Sequence, residues 1–438
     1  MSAMHSSTLE LISYIAGTSP SDTGCRSHIR AFLDAGADAE VTLKDTTSLL
    51  VSSPLPSDGT HQDLTRDDPA DTRTTLLHLA ASRGNLECVQ ALLQEARIPW
   101  NSVDKNGVSI GEVAKAAGFK VLYDQLVDEG VRTEFLLAVL GQRVVEEGTL
   151  LINGADASDT DCNSNVNEAG QDRLESTELD TGAATTQKDK SAAVIPNASY
   201  LARKLVFSKG RLLDSDGNAV MMGWEAPLME RHAKAIAPTP GLDVLNIGFG
   251  LGIIDEYLQT LNPATHTIIE AHPDVYNHMV AQGWLQKPGV RVLFGRWQDV
   301  LADLETYDGI FFDTFGEYYD DLRDFHQVLP NHLREETGVY SFFNGLAGTN
   351  QFFHDVSCKM AQLDLAEIGL STKFIEINVD DLGDDVWKDT KRAYWSLPIY
   401  RLPISRLELL IKKHHFVFEG YDSVLQVSLN LSDTLNSG

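Results

Sequence analysis

Positive charge is what this sequence has least of in proportion: 35 Lys and Arg stand against 63 Asp and Glu, a formal net charge of −28. Binding nucleic acid or an anionic membrane needs clustered Lys and Arg to neutralise phosphate, so this balance argues against both and favours a basic partner. Cysteine is also scarce. Cys25, Cys88, Cys162 and Cys358 lie far apart, with no CxxC pair and no His at metal-ligand spacing, so neither a zinc site nor a disulfide framework is expected and the thiols read as reduced. No stretch approaches the roughly 18 apolar residues of a membrane span, and no basic region precedes an apolar run at the N-terminus. The expected location is cytoplasm and nucleus.

What is present falls into three zones. A chain of 438 residues is too long for one ordinary core, and 43% hydrophobic content suffices for more than one. The first zone repeats. "TLLHLAASRGNLECVQALLQ", from Thr75, carries the Thr, His and Ala of the ankyrin signature, with Leu in place of its Pro. A shift of 34 residues superposes Thr75 on Ser109, Ala80 on Ala114, Gly84 on Gly118 and Leu92 on Leu126. An earlier fragment, "HIRAFLDAGADAEV" from His28, resembles the second helix and exit turn of another repeat. Two to three all-α ankyrin repeats are therefore expected over residues 8–150. Stacked repeats bury one face and leave a concave face free, so they serve either packing or protein binding. With so few repeats, docking against the rest of the chain is a third use.

The second zone, residues 151–195, has no apolar pattern; from Ala155 to Gln187 it carries eight carboxylates against one Arg and no aromatic residue. It reads as a disordered acidic linker. Nothing in it would integrate the halves, so the segment from Tyr200 onward is expected to fold alone.

The third zone, residues 196–438, alternates short runs rich in Val, Ile and Phe with stretches of helical spacing, which implies a largely parallel sheet with helices on both faces and an antiparallel hairpin at the end. "LNIGFGLGIIDEYL" is a strand, a turn at Gly248, Gly250 and Gly252, and a helix; the glycines let backbone approach a ligand at a strand end. Glu270 ends the next run, "HTIIEAH", where an acid would accept hydrogen bonds from ribose hydroxyls. In "GRWQDV", Gln298 or Asp299 would receive an adenine amino group, or Asp299 caps a helix; the sequence leaves both open. Asp313 emerges from "GIFFD" at the carboxyl end of a strand, where open α/β sheets place their ligand crevice. Finally "VMMGWEAPLM" seats Glu225 among thioethers, Trp224 and Pro227. A helix start explains the proline but not an acid in that company.

Taken in order, "VMMGWEAPLM", "LNIGFGLGI", "HTIIEAH", "GRWQDV", "YDGIFFDTF", "GVYSFFN" and "KRAYWSLPIY" resemble guanidinoacetate N-methyltransferase, a class I, Rossmann-like S-adenosylmethionine methyltransferase. With the ankyrin half ahead of it, the whole is similar to the fungal protein arginine N5-methyltransferase family. The resemblance implies a seven-stranded, mostly parallel sheet and S-adenosylmethionine as cofactor. It places Met221 and Met229 beside the cofactor, Gly250, Leu251, Gly252, Ile253, Ile254 and Asp255 in its loop, Glu270, Ala271 and His272 at the ribose, and Gln298 and Asp299 at the adenine. Asp313 stands at the reaction centre and Tyr200 closes the pocket. The implied reaction methylates the delta nitrogen of arginine in a basic protein, with a ribosomal large-subunit protein as candidate and a monomeric enzyme. The chemistry agrees: a sulfonium donor and a guanidinium acceptor both need carboxylates, and Glu225 and Asp313 are the catalytic candidates. Met222 and Gly223 stand where the small-molecule enzyme has a charged pair, and no double-glutamate loop for terminal-nitrogen methylation is present. The competing readings are a small-molecule guanidino methyltransferase and an ankyrin adaptor with an inert methyltransferase fold.

Overall fold

The computed structural model describes residues 6–43, 74–104, 106–153, 200–315, 319–380, 382 and 386–408; apart from residues 151–153, the expected linker lies outside them. Helices pair as in ankyrin repeats: α1 (Ser6–Gly17) with α2 (Cys25–Asp34), α3 (Leu76–Arg83) with α4 (Leu86–Gln94), and α5 (Ile110–Ala116) with α6 (Lys120–Asn153), the last two pairs set apart by the 34-residue period. Strands β1 (Thr42–Leu43) and β2 (Thr74–Thr75) pair antiparallel between the first two repeats. Ser109 caps α5 through a reciprocal box, receiving the Glu112 N–H at 3.3 Å and giving its own N–H to Glu112 Oε2 at 2.9 Å. One period earlier His78 Nδ1 accepts the Thr75 N–H at 3.4 Å, and Nε2 donates to the Val108 carbonyl at 3.1 Å, tying one repeat to the next. Cys25 and Cys88 are buried in this core and Cys358 elsewhere, all three unbridged; Cys162 lies outside the described residues.

The second half opens with a feature that apolar spacing does not announce: a three-stranded antiparallel sheet of β3 (Leu205–Ser208), β4 (Arg211–Asp214) and β5 (Ala219–Met222). Its first reversal is Lys209–Gly210, with φ of 48° and 75°, the pair of positive angles of a tight hairpin turn. The Asp214 carboxylate closes the second by accepting the N–H groups of Asp216 and Asn218. Helix α7 (Ala226–Ile236) follows.

The large sheet contains β6 (Asp243–Ile247), β7 (Thr265–Glu270), β8 (Val290–Phe294), β9 (Gly309–Phe312), β10 (Val339–Phe342), β11 (Leu370–Asn378) and β12 (Ile399–Leu407), in the order β11-β12-β10-β9-β6-β7-β8. Strands β8 to β10 in that order pair parallel, while β12 is antiparallel to β10 and β11. The expected seven strands and antiparallel hairpin are thus present. Each central strand is buried on both faces: Val244, Ile268 and Phe311 enter one core, and Leu245, Ile269, Ile310 and Phe312 the other. The chain runs from β6 outward to β8 and returns on the other side of β6 as β9, so the switch point lies between β6 and β9.

Helix α8 (Ile253–Thr260) follows β6, α9 (Pro273–Ala281) follows β7 and α10 (Tyr319–Val328) follows β9. Helix α11 (Gln351–Glu367) belongs to two cores at once. Its Ala361 and Leu365 pack under the sheet, whereas Phe352 and Val356 enter the ankyrin core. Tyr123 donates to Asp355 across this boundary at 2.5 Å, and Asp128 pairs with Lys359. The two halves are therefore not joined by the linker alone.

Candidate active site

A cavity of about 530 Å³ lies beyond the carboxyl ends of β6, β7 and β9, at the switch point and within the size range of small-molecule sites. The glycine loop forms one wall. Gly248 has φ 94°, and any side chain there would overlap the carbonyl oxygen of Asp313. Gly250 has φ 56° and would bring a Cβ 2.6 Å from Met221 Sδ, toward which the Leu251 N–H points at 3.2 Å. The loop is thus held between the end of β9 and the end of β5. Beneath it Asn246 Nδ2 donates to the Gly248 carbonyl and to both Asp255 oxygens, each at 2.9 Å, and Asp255 pairs with His266 at 3.1 Å.

Glu225 and Asp313 line the same cavity. Glu225 is only 2% exposed; its Oε1 accepts the Met222 N–H at 2.9 Å and the Tyr394 hydroxyl, which in turn accepts from Trp224 Nε1 at 3.1 Å. Its Oε2 has no partner among the described residues. Burial pushes the Glu225 carboxyl up to about 7, against the opposing pull of the Tyr394 and Met222 bonds. Asp313, held by its backbone N–H to the Ile247 carbonyl at 2.8 Å, is raised well above the usual carboxylate range by burial first, then by the charges of Glu225 and Asp255. Among the described residues no basic side chain forms an ion pair with either acid. Two acids that face one cavity, neither with an ion-pair partner among the described residues, bind protons more tightly than usual, and a cationic ligand would oppose that.

Of the residues singled out in the sequence, Tyr200, Met221, Gly248, Gly250, Glu270, Ala271 and His272 line this cavity with the two acids. Tyr200 packs on Phe315 and His272, with ring centroids 4.4 and 5.2 Å apart. Glu270 is placed as expected but is already engaged: it accepts N–H groups from Phe249 at 3.0 Å, Gly250 at 3.4 Å and His272 at 2.6 Å. Burial raises its proton affinity and these bonds oppose that. It therefore fastens the glycine loop besides lining the cavity.

Other expectations are corrected. Asp255 is fully buried beneath the loop and braces it through Asn246 rather than lining the cavity. Met229 and Ile254 are core residues; Leu251, Gly252 and Ile253 shape the turn and the start of α8 without lining the cavity. Gln298 and Asp299 are exposed, and Asp299 is paired with Arg296 at 3.0 Å, so neither lines this cavity; Gly295, Arg296 and Trp297 of the same motif do. Nor does Asp299 cap a helix, since the short turn of 3-10 helix that follows, Leu301–Asp303, has Val300 at its cap. Tyr394, Trp297 and the turn Gly345–Ala347 complete the wall and carried no assignment in the sequence. Tyr394 lay in a quoted motif, but its partner Glu225 is 169 residues away.

Comparison with known proteins identifies the family. The family description guanidinoacetate N-methyltransferase matches residues 208–356, and an ankyrin repeat matches residues 73–105. Protein arginine N-methyltransferase 2 of Aspergillus fumigatus is 40% identical over 328 residues, covering 73% of this chain and 77% of its own. The chain belongs to this family. The Candida glabrata protein of the same name is 33% identical over 399 residues, covering 85% of this chain and 92% of its own, so the likeness extends through the ankyrin half. Among solved structures, the O-methyltransferase TomG from Streptomyces achromogenes in complex with SAM aligns with 41% of this chain and 79% of its own at 13% identity and a TM-score of 0.31.

Proposed function

We propose that this protein transfers a methyl group from S-adenosylmethionine to the delta nitrogen of an arginine side chain in a basic protein, one methyl per arginine. The observation that carries the reading is the pair Glu225 and Asp313, two buried acids facing one cavity with no cationic partner among the described residues. The donor set fits the cofactor: backbone at Gly248 and Gly250 permits close approach at the switch point, Glu270 and His272 stand at the end of β7, and Tyr200 and Trp297 supply flat apolar walls. When bound, S-adenosylmethionine supplies an electrophilic methyl group on a sulfonium.

The residues of the chain do the rest. Glu225 Oε2 accepts hydrogen bonds from the terminal nitrogens of the guanidinium, while Tyr394 and the Met222 N–H hold Oε1 and so fix the carboxyl plane. Asp313, nearer the glycine loop, orients the acceptor nitrogen and, ionised once the cationic ligands are bound, takes its proton. With both terminal nitrogens engaged by carboxyls, the internal nitrogen is the one left facing the donor. Holding the reacting atoms roughly 3 to 3.5 Å apart supplies much of the rate. The net charge of −28 favours a basic protein substrate, for which a ribosomal large-subunit protein is the candidate. Incubating the enzyme with labelled cofactor and a ribosomal extract, then fragmenting the labelled protein, tests this. A single methyl on the delta nitrogen is expected; dimethylarginine or methyl on a terminal nitrogen overturns it.

A further inference from the structure

We propose that Glu112 and Asn350 are positioning residues for methyl transfer: through them the ankyrin half holds the backbone turn that walls the acceptor side of the cavity. The inference rests on the methyltransferase reading above and concerns two side chains that do not line the cavity.

The turn follows β10 and borders the cavity at Gly345, Leu346 and Ala347. Strand order fixes its side. β10 neighbours β9, which carries Asp313, whereas β6 and β7, which carry the glycine loop and Glu270, lie on the other flank of β9. The turn therefore faces the acceptor rather than the cofactor. Ala347 has φ 49°, a left-handed conformation that a residue with a side chain holds only when its surroundings impose it. Three bonds do so: the Asn350 N–H donates to the Ala347 carbonyl at 3.0 Å, His354 Nδ1 to the Leu346 carbonyl at 2.7 Å, and the Ser396 N–H to the Gly348 carbonyl at 2.9 Å.

Asn350 is itself held from the other half of the chain. Its Oδ1 caps α11 by accepting the Phe352 and Phe353 N–H groups at 3.1 and 3.2 Å. Its Nδ2 donates to Glu112 Oε2 at 2.6 Å, and that oxygen is fixed by the Ser109 N–H at 2.9 Å. Two residues on, the Phe352 ring lies on Gly111, where any Cβ would overlap it, and beside the rings of Trp100 and Tyr123. Capping needs only Oδ1. The amide end reaching a carboxylate 238 residues away serves instead to fix the orientation of Asn350, and with it the bond to Ala347. A displacement of about 1 Å at an acceptor wall can cost ~100-fold in rate, so this seat is where the repeats bear on turnover.

The test reverses the pair in the full chain. Asn350→Asp keeps an oxygen to cap α11 but sets a carboxylate against Glu112; adding Glu112→Gln restores a hydrogen bond with donor and acceptor exchanged. For Asn350→Asp we expect affinity for S-adenosylmethionine within about twofold of wild type and a kcat lower by roughly 10- to 100-fold, with faster amide exchange at residues 345–348. The double variant should recover kcat to within about threefold and slow the exchange again, as a coupled pair requires. If Asn350→Asp does not fold, Glu112→Ala is read by the same three measurements. Unchanged kcat and exchange in a folded single variant, or no recovery in the double, overturns the inference. If wild-type protein transfers no methyl group at all, the functional reading has failed, and the exchange data alone then decide whether the clamp exists.

Discussion

Glu225 is where the proposed function can be tested on one side chain, since replacing it separates charge from packing. Glu225→Gln keeps the size and one oxygen for Met222 and Tyr394, so cofactor affinity should be largely retained while methyl transfer falls by about 2 to 5 kcal/mol, the range for breaking a desolvated charge pair. Asp313→Asn should be worse, because in the proposed reaction that acid meets both donor and acceptor. Calorimetry for the cofactor and turnover with labelled donor check both; near wild-type turnover in Glu225→Gln would reduce the stretch to a helix start. The same carboxyl predicts a pH effect. A folded-state value of about 7 against an ordinary 4.5 means the folded protein keeps a proton that the unfolded chain has lost, so this group makes ligand-free stability fall as pH rises between those values. Glu225→Gln should lack that component when unfolding midpoints are compared across the window, and a saturating cationic ligand should remove it from wild type. An acid among thioethers was legible as a site because burying it alone is costly. Its partner was not, since a Tyr–Glu bond across 169 residues leaves no local periodicity.

Elements, not side chains, decide where the cavity lies. The strand-glycine-helix unit and the acids closing β7 and β9 were readable, because parallel strands buried on both faces are continuous apolar runs and their carboxyl ends carry the polar residues. The small β3–β5 sheet was not: four-residue strands are too short for alternation to show, although Lys209–Gly210 and Asp216–Gly217 were turn signals in plain view. Which part of the loop after β8 reaches the cavity was hidden for a related reason. Sequence order cannot tell which residues of a loop turn inward, and here Trp297 does while Gln298 and Asp299 meet solvent. Gly248 tests the element directly. Its φ of 94° and the Asp313 carbonyl leave no room for a methyl group, so Gly248→Ala should separate the ends of β6 and β9. Loss of cofactor binding with a lowered unfolding midpoint is expected. Wild-type affinity in that variant would show that the two strand ends are not packed as described.

Across the whole molecule, the ankyrin zone and the methyltransferase zone were each legible, by a 34-residue period and by alternating elements, but their union was not. Nothing in "NQFFHDV" marks Phe352 and Val356 as belonging to a core built some 200 residues earlier, because contact between separately folded layers has no sequence period. Yet they are 0% and 2% exposed, and the ankyrin core closes over them. A chain beginning at residue 196 would return both to water. At ~1.5–3 kcal/mol for each large apolar side chain, that is about 3–6 kcal/mol lost, a heavy fraction of the ~5–15 kcal/mol that holds a typical domain together. The expectation that the catalytic half folds unaided therefore gives way to a different one: the fragment should unfold about 10 °C or more below the full chain, bind cofactor weakly and aggregate through α11. Residues 1–153 supplied as a separate polypeptide should raise its midpoint and restore solubility, since the shared core needs no covalent link to form. A fragment that melts with the full chain and gains nothing from the added repeats would show that the catalytic half closes its own core, and that α11 holds only one of the two layers it touches.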